Sequence, residues 1–270
     1  MKKRNDYSSM NMRNIKLIIM YDGSGYAGWQ RLGITDKKLS IQTVLEECLS
    51  ECLEEEVNII GSGRTDAGAH ALGQVANFHC SSKLSVAEMS QEFNSALPND
   101  IAILHIEEVG KAFHSRYLAK AKTYEFRIDQ GETQSVFTRK YTYHVRVALN
   151  IDAMLEAATH LIGTYDFKAF STDRKDGKST IRTIETIKIG NYFEKVEDNK
   201  EGMSSDHLRI TITGDGFLYN MVRIIVGTLL EIGEGKRRPE NICHILESKD
   251  RQMAGITVSS QGLFLLNVRY

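Results

Sequence analysis

An arginine and an aspartate two residues apart, set among glycines, make Gly61-Ser62-Gly63-Arg64-Thr65-Asp66-Ala67-Gly68-Ala69-His70-Ala71 the stretch of this chain best equipped for chemistry. A carboxylate held beside a guanidinium stays ionised at neutral pH, because the neighbouring positive charge favours the anion. Such an anion is available as a nucleophile or as the partner of a developing positive charge. The glycines allow positive φ and let a large partner approach the backbone. The same residue types also describe an ordinary surface turn with an Arg/Asp pair, and composition alone does not separate the two.

The flanking segments have to position that turn. Val57-Asn58-Ile59-Ile60 before it and Gly73-Gln74-Val75-Ala76-Asn77-Phe78 after it predict strand, tight turn and strand. Upstream, residues 15–23 read as a strand ending in Asp22-Gly23. Apolar residues at 41, 44, 45, 48, 49, 52 and 53 then follow the helical period, with Ser40 in place to cap. A second helix is expected over 86–97, stopped by Pro98, and a strand over 101–109. The order then repeats loosely: strand 123–128, helix 151–162, strand 183–189, a strand-plus-Asp-Gly unit over 208–216, and a long helix over 221–232. This mixture without regular βαβ alternation predicts an α+β fold. It would comprise two similar halves, each an antiparallel sheet backed by helices, with a cleft between them for a site. The expected division is a flexible N-terminus over 1–13, an N-terminal half over 14–110 that carries the Arg64/Asp66 turn, and a C-terminal half over 111–270.

The chain has 270 residues, 41% hydrophobic and 26% charged, and Lys+Arg 34 nearly balances Asp+Glu 35 for a net charge of −1. The sum is not that of a nucleic-acid-binding domain, but the distribution is uneven. Acid gathers at Glu46-Glu47, through 51–56 and around 194–201. Base gathers at Arg116, Lys120, Lys122 and Arg127, at Arg139-Lys140, at Arg174, Lys175, Lys178 and Arg182, and at Lys236-Arg237-Arg238. One basic face on a neutral protein would suit a phosphate-rich partner. No apolar run approaches the roughly 20 residues of a membrane span. The opening Met1-Lys2-Lys3-Arg4-Asn5 has no apolar core behind it, so it does not read as a secretory signal. The four cysteines, Cys48, Cys52, Cys80 and Cys243, form no CxxC pair and read as reduced thiols of a cytosolic protein. His70 and His79 have no third metal ligand in register.

Together, the turn and its downstream strand, GRTDAGAHALGQVANF, resemble the catalytic segment of the TruA family of tRNA pseudouridine synthases. Four further segments carry the likeness in the same order. They are Tyr21-Asp22-Gly23-Ser24-Gly25-Tyr26-Ala27-Gly28-Trp29-Gln30; Phe113-His114-Ser115-Arg116-Tyr117-Leu118-Ala119 with Lys122-Thr123-Tyr124; Gly216-Phe217-Leu218-Tyr219-Asn220-Met221-Val222-Arg223 with Val226-Gly227-Thr228-Leu229; and Gly262-Leu263-Phe264-Leu265. One departure stands out. Where the family usually carries a proline-containing stretch before the last Gly-Leu, this chain reads Thr257-Val258-Ser259-Ser260-Gln261, which predicts a more flexible turn.

The resemblance implies an isomerase that converts uridine to pseudouridine at positions 38, 39 and 40 of the tRNA anticodon stem-loop. It implies a cytoplasmic homodimer. Asp66 becomes the catalytic residue, Arg223 the arginine that keeps it charged and oriented, and Tyr124 the active-site tyrosine that stacks on the base. Arg64, on the same turn as Asp66, is a candidate to replace the flipped base or hold a phosphate. Arg174, Lys175 and Lys178 are candidate phosphate contacts. The reaction breaks the C1′–N1 bond and joins C5 to C1′ with no net change of atoms or electrons, so no metal or redox cofactor is expected. Two alternatives remain. One is a non-catalytic tRNA-binding protein of the same fold. The other, ranked last, is a hydrolase pairing Asp66 with Asp215 or Asp22. Tyr26 and Trp29 fit either an RNA-facing loop or the core, and His114 either an RNA contact or an ordinary surface side chain.

Overall fold

The computed structural model describes residues 12–31, 39–172, 179–191 and 207–270. They fold into ten strands and five α-helices, a mixed α+β architecture. The chain divides into two compact units, which meet in sequence at Ala119 and Lys120; Tyr270 belongs with the first.

In the first unit, strand β1 (Arg13–Tyr21) lies between β3 (His70–Cys80) and β4 (Ile101–Val109), antiparallel to both, and the two-residue β2 (Ile60–Gly61) pairs with β3. The period-2 pattern of β1 buries Ile15, Leu17, Ile19 and Tyr21 on one face. Helix α1 (Ile41–Leu53) begins at Ser40, whose hydroxyl accepts the Thr43 N–H at 3.1 Å. It contributes Ile41, Leu45 and Leu49 to the core. Helix α2 (Val86–Ala96) starts in a reciprocal Ser85/Glu88 cap and brings Phe93 against Phe78, ring centroids 6.4 Å apart. Arg13, expected in a flexible segment over 1–13, is instead the first residue of β1: its guanidinium pairs with Glu108 on β4 and donates to the Ser82 and Leu84 carbonyls. Residues 1–11 of that segment lie outside the described residues.

The second unit orders its strands β10–β5–β9–β8–β7: β10 (Leu263–Arg269), β5 (Ala121–Asp129), β9 (His207–Gly214), β8 (Ile181–Asn191) and β7 (Gly163–Asp166), all antiparallel. A short β6 (Tyr143–His144) runs parallel to β5. Helices α3 (Ile151–Thr159), α4 (Met221–Gly233) and α5 (Asn241–Ser248) complete it. The Asp-Gly pairs that end β1 and β9 look alike in sequence, but the helices that follow differ in setting. Helix α1 is amphipathic, with Glu47 and Glu51 exposed, whereas α4 buries every residue but Arg223 and Glu231. No helix among the described residues is long and apolar enough to cross a membrane.

Candidate active site

The turn between β2 and β3 is built from both of its ends. Ser62 donates its N–H to the Val75 carbonyl at 2.7 Å and its hydroxyl to Gln74 Oε1 at 2.7 Å; Gln74 Nε2 returns a bond to the Gly63 carbonyl at 3.1 Å. The Tyr21 hydroxyl lies 2.7 Å from Thr65 Oγ1, and the Trp29 N–H donates to the Thr65 carbonyl at 3.1 Å. Burial pushes the Tyr21 phenol well above its ordinary pKa, against the opposing hydrogen bonds of Thr65 and Gln74, so it keeps its proton. The Ala69 N–H closes the turn onto the Asp66 carbonyl at 3.1 Å, with Gly68 at φ +78°. Gly28, at φ +96°, lies flat against this backbone: a Cβ there would stand 2.6 Å from the Thr65 carbonyl oxygen. The backbone on either side of Asp66 is therefore fixed while its side chain is half-buried.

The turn does not pair its own charges. Arg64 is exposed and its Nε donates to Gln30 Oε1 at 3.1 Å, with no ion pair to Asp66. The expected pairing of Arg64 with Asp66 is corrected here: the Arg64 guanidinium is bonded to Gln30 Oε1 instead.

In the second unit Tyr124 sits mid-strand on β5, opposite Ile212 on β9 and Leu265 on β10, and is 6% exposed. Phe217 meets its ring edge-on, with centroids 5.1 Å apart and planes at 84°. Arg223 lies in the first turn of α4. Its Nε donates to the Val258 carbonyl at 2.7 Å and its Nη1 to Asn220 Oδ1 at 2.8 Å. Asn220, at φ +61°, is itself fixed by a 2.7 Å bond from Nδ2 to Thr172 Oγ1. A guanidinium clamped at two of its nitrogens on a rigid helix has a defined plane, the geometry a carboxylate needs for paired hydrogen bonds.

The stretch Thr257–Gln261, expected to be a flexible turn, is tethered along α4. The Gly255 N–H donates to the buried Thr228 hydroxyl at 2.9 Å, the Ile256 N–H to Glu231 Oε1 at 3.0 Å, and Arg251 Nη2 to Thr257 Oγ1 at 2.9 Å. Val258 is buried, and its carbonyl is the one that receives Arg223. Within the stretch itself, Arg251 at Thr257 and Arg223 at Val258 supply the restraint, and α4 anchors the two residues that precede it.

Arg64 and Asp66 thus share one turn of the first unit, and Tyr124 and Arg223 stand on two elements of the second. Arg174, Lys175 and Lys178 lie outside the described residues. The second acids of the hydrolase alternative have structural tasks: Asp22 Oδ1 accepts the Ser24 N–H at 2.9 Å, and Asp215 Oδ1 the Thr183 N–H at 3.0 Å. Trp29 is a core residue, 2% exposed, against Tyr21 and the bare face of Gly61. Tyr26 donates its hydroxyl to Asp100 at 2.5 Å. His114 lies against exposed Tyr117, ring centroids 4.2 Å apart, and buried His70 accepts the Gly23 N–H on Nδ1 at 3.1 Å. No group of three His, Cys, Asp or Glu among the described residues could hold a metal ion. Sequence reasoning missed Gln30, Gln42 and Glu46, linked in series to Arg64, and Asn220 and Val258, which hold Arg223. For Gln42 and Glu46 the available signal was two polar residues one turn apart on α1.

A family model described as tRNA pseudouridine synthase matches residues 17–118 and 157–270. The chain is 43% identical over 259 residues to a tRNA pseudouridine synthase A 2 of Bacillus cereus, covering 96% of this chain and 100% of that one. It is 42% identical, with the same coverage, to tRNA pseudouridine synthase A of a Thermoanaerobacter species, and 44% to tRNA pseudouridine synthase A 2 of Clostridium perfringens. The fold and the fixed Asp66 turn therefore sit in an isomerase of RNA, and the chain belongs to the tRNA pseudouridine synthase family, of the A (TruA) type.

Proposed function

We propose that this protein isomerises uridine to pseudouridine in the anticodon stem-loop of tRNA, at positions 38, 39 and 40, with Asp66 as its catalytic residue. The observation that carries the reading is the Thr65-Asp66-Ala67 backbone, clamped by Tyr21, Trp29 and Gly28 so that one half-buried carboxylate is presented at a fixed place.

The target nucleotide first leaves its stack, at a cost of a few kcal/mol. The Asp66 carboxylate then acts at the sugar, as nucleophile at C1′ or by promoting loss of the 2′ proton. The C1′–N1 bond breaks, the base turns, C5 joins C1′, and the proton lost from C5 is balanced by one gained at N1. Every step is proton transfer or bond exchange within one nucleotide, so the mechanism requires no metal or redox cofactor. Arg223 pairs with Asp66 and keeps it anionic. The Tyr124 ring stacks on the uracil, its hydroxyl available to a proton. Arg64, with Arg174, Lys175 and Lys178, meets the RNA backbone. In this reading residues 14–110 and 111–270 are two halves around one cleft, and the enzyme works in the cytoplasm as a homodimer. The clamps on Arg223 and the turn support the reading, since both groups are fixed before substrate arrives.

Incubating the protein with unmodified tRNA transcript and mapping pseudouridine chemically tests it. Product at 38–40 that disappears with Asp66→Asn supports the assignment. Tight tRNA binding without product overturns it in favour of a non-catalytic binder, and product elsewhere overturns the stem-loop assignment.

A further inference from the structure

Behind Arg64 runs a chain of polar side chains that ends inside the first unit. Arg64 Nε donates to Gln30 Oε1 at 3.1 Å, Gln30 Nε2 to Gln42 Oε1 at 2.9 Å, and Gln42 Nε2 to Glu46 Oε1 at 2.9 Å. Gln42 and Glu46 are one helical turn apart on α1, and Glu46 is buried.

The direction of every link is dictated by an obligate donor. The Ile59 N–H donates to Glu46 Oε1 at 3.0 Å, so that oxygen is an acceptor and Gln42 must face it with its NH2 group. The Arg31 N–H donates to Gln42 Oε1 at 3.1 Å, which fixes the same amide independently. Gln30 must then turn its NH2 to Gln42 and its oxygen outward, where Arg64 Nε, which can only donate, completes the series. Gln42 Nε2 also donates to the Ile59 carbonyl at 3.1 Å, tying the chain to the strand entering the turn. The other Glu46 oxygen lies 3.4 Å from Arg31 Nη1.

We infer that Gln30, Gln42 and Glu46 are positioning residues that hold the Arg64 guanidinium ready for RNA, an inference that rests on the reading of Arg64 as a substrate contact. Among the described residues Arg64 makes one hydrogen bond, and it uses Nε. Its two terminal nitrogens present a parallel pair of N–H donors, the edge that recognises a phosphate or carbonyl bidentately. An exposed arginine ordinarily loses much rotamer freedom on engaging a ligand. Here Gln30 has restricted part of that freedom in advance, and Glu46 sets the polarity that makes Gln30 an acceptor.

A double-mutant cycle tests this, read in both single-turnover kcat/KM on unmodified tRNA and tRNA affinity, with thermal unfolding followed for each variant. Gln30→Met keeps the volume and removes the acceptor; it should lower kcat/KM by about tenfold, the scale of one hydrogen bond to a charged group. In an Arg64→Met background the same change should cost less than about twofold, because nothing is left to position. Gln42→Met, one link back, should behave likewise with a smaller loss, and it provides the test should Gln30→Met fold poorly. Losses that add in full across the cycle, or a Gln30→Met enzyme equal to the parent, overturn the positioning chain while leaving the proposed function standing. An Arg64→Met variant equal to the parent in turnover and affinity overturns it too. If the parent binds tRNA but forms no pseudouridine, the proposed function falls, and the affinity cycle still decides the chain.

Discussion

Gly28→Ala should damage catalysis far more than stability, and the structure gives the size of the effect. The added methyl meets the Thr65 carbonyl oxygen at 2.6 Å and the Ala67 nitrogen at 3.0 Å, both backbone atoms of the Asp66 turn, so no flexible side chain can yield. Restoring an ordinary contact near 3.4 Å requires a relative shift of roughly 0.8 Å. A misplacement of about 1 Å can cost on the order of 100-fold in rate. The φ of +96° adds strain of about 1–2 kcal/mol for a residue with a side chain. We therefore expect single-turnover pseudouridine formation to fall by about 100-fold. The melting temperature should fall by only a few degrees, and tRNA affinity should stay within a few-fold. Gly25→Ala is the matched control: its methyl meets nothing within 4 Å and should leave the rate unchanged. A Gly28→Ala enzyme that melts lower yet turns over at the parental rate would refute the argument that Gly28 sets the position of the Asp66 backbone.

Asp66→Asn keeps the shape and removes the charge, so product should vanish from chemical mapping while tRNA affinity holds within a few-fold; activity within tenfold of the parent would sink the assigned role. Thr228→Val removes the acceptor of the buried Gly255 N–H and should cost about 1–3 kcal/mol in denaturant unfolding; an unchanged midpoint would show that this bond does not tether the segment holding Arg223. The hydrogen bond from Lys16 lowers the Glu107 pKa against the opposing effect of burial, with the Lys16 charge adding to the lowering. Its stabilisation is present above the ordinary glutamate range and lost as pH falls through the lowered value, and NMR titration should show the Glu107 pKa rising in Lys16→Met. Turnover on a short anticodon stem-loop folded in monovalent salt should survive dialysis against a chelator, and a divalent-metal requirement on that substrate would contradict the proposed mechanism.

Helices α1 to α4 were legible because their signals are local, whereas the eight-residue α5 was not anticipated. The apolar spacing from Ile41 to Leu53 with Ser40 ahead of it, and the run stopped by Pro98, mark α1 and α2 nearly residue for residue. The long strands β1, β4 and β9 showed in the same way, as apolar alternation between turn residues. Strand β6, two residues long, and β7, four, have too few positions for a period to show. In the candidate site, Arg64 and Asp66 were visible as residue types, but their partners were not. Gln30 reaches Arg64 from 34 residues away, and the Val258 carbonyl reaches Arg223 from 35. Without proline, Thr257–Gln261 looked loose; Arg251 holds it at Thr257 and Arg223 at Val258, contacts that only the packing of the second unit makes. Trp29 could not be divided between core and RNA until Gly61 was seen to leave the space its indole fills.

The chain has a single tryptophan, and it stands where an optical reporter would be put by choice. The Trp29 indole packs against Tyr21 and Gly61, and its own amide is bonded to the residue before Asp66. Intrinsic emission excited at the red edge therefore comes from this one ring, without contributions from the 11 tyrosines. A stopped-flow trace on mixing with tRNA would follow the environment of the Asp66 turn in real time without any label. The same signal during denaturation would report unfolding from inside the first unit.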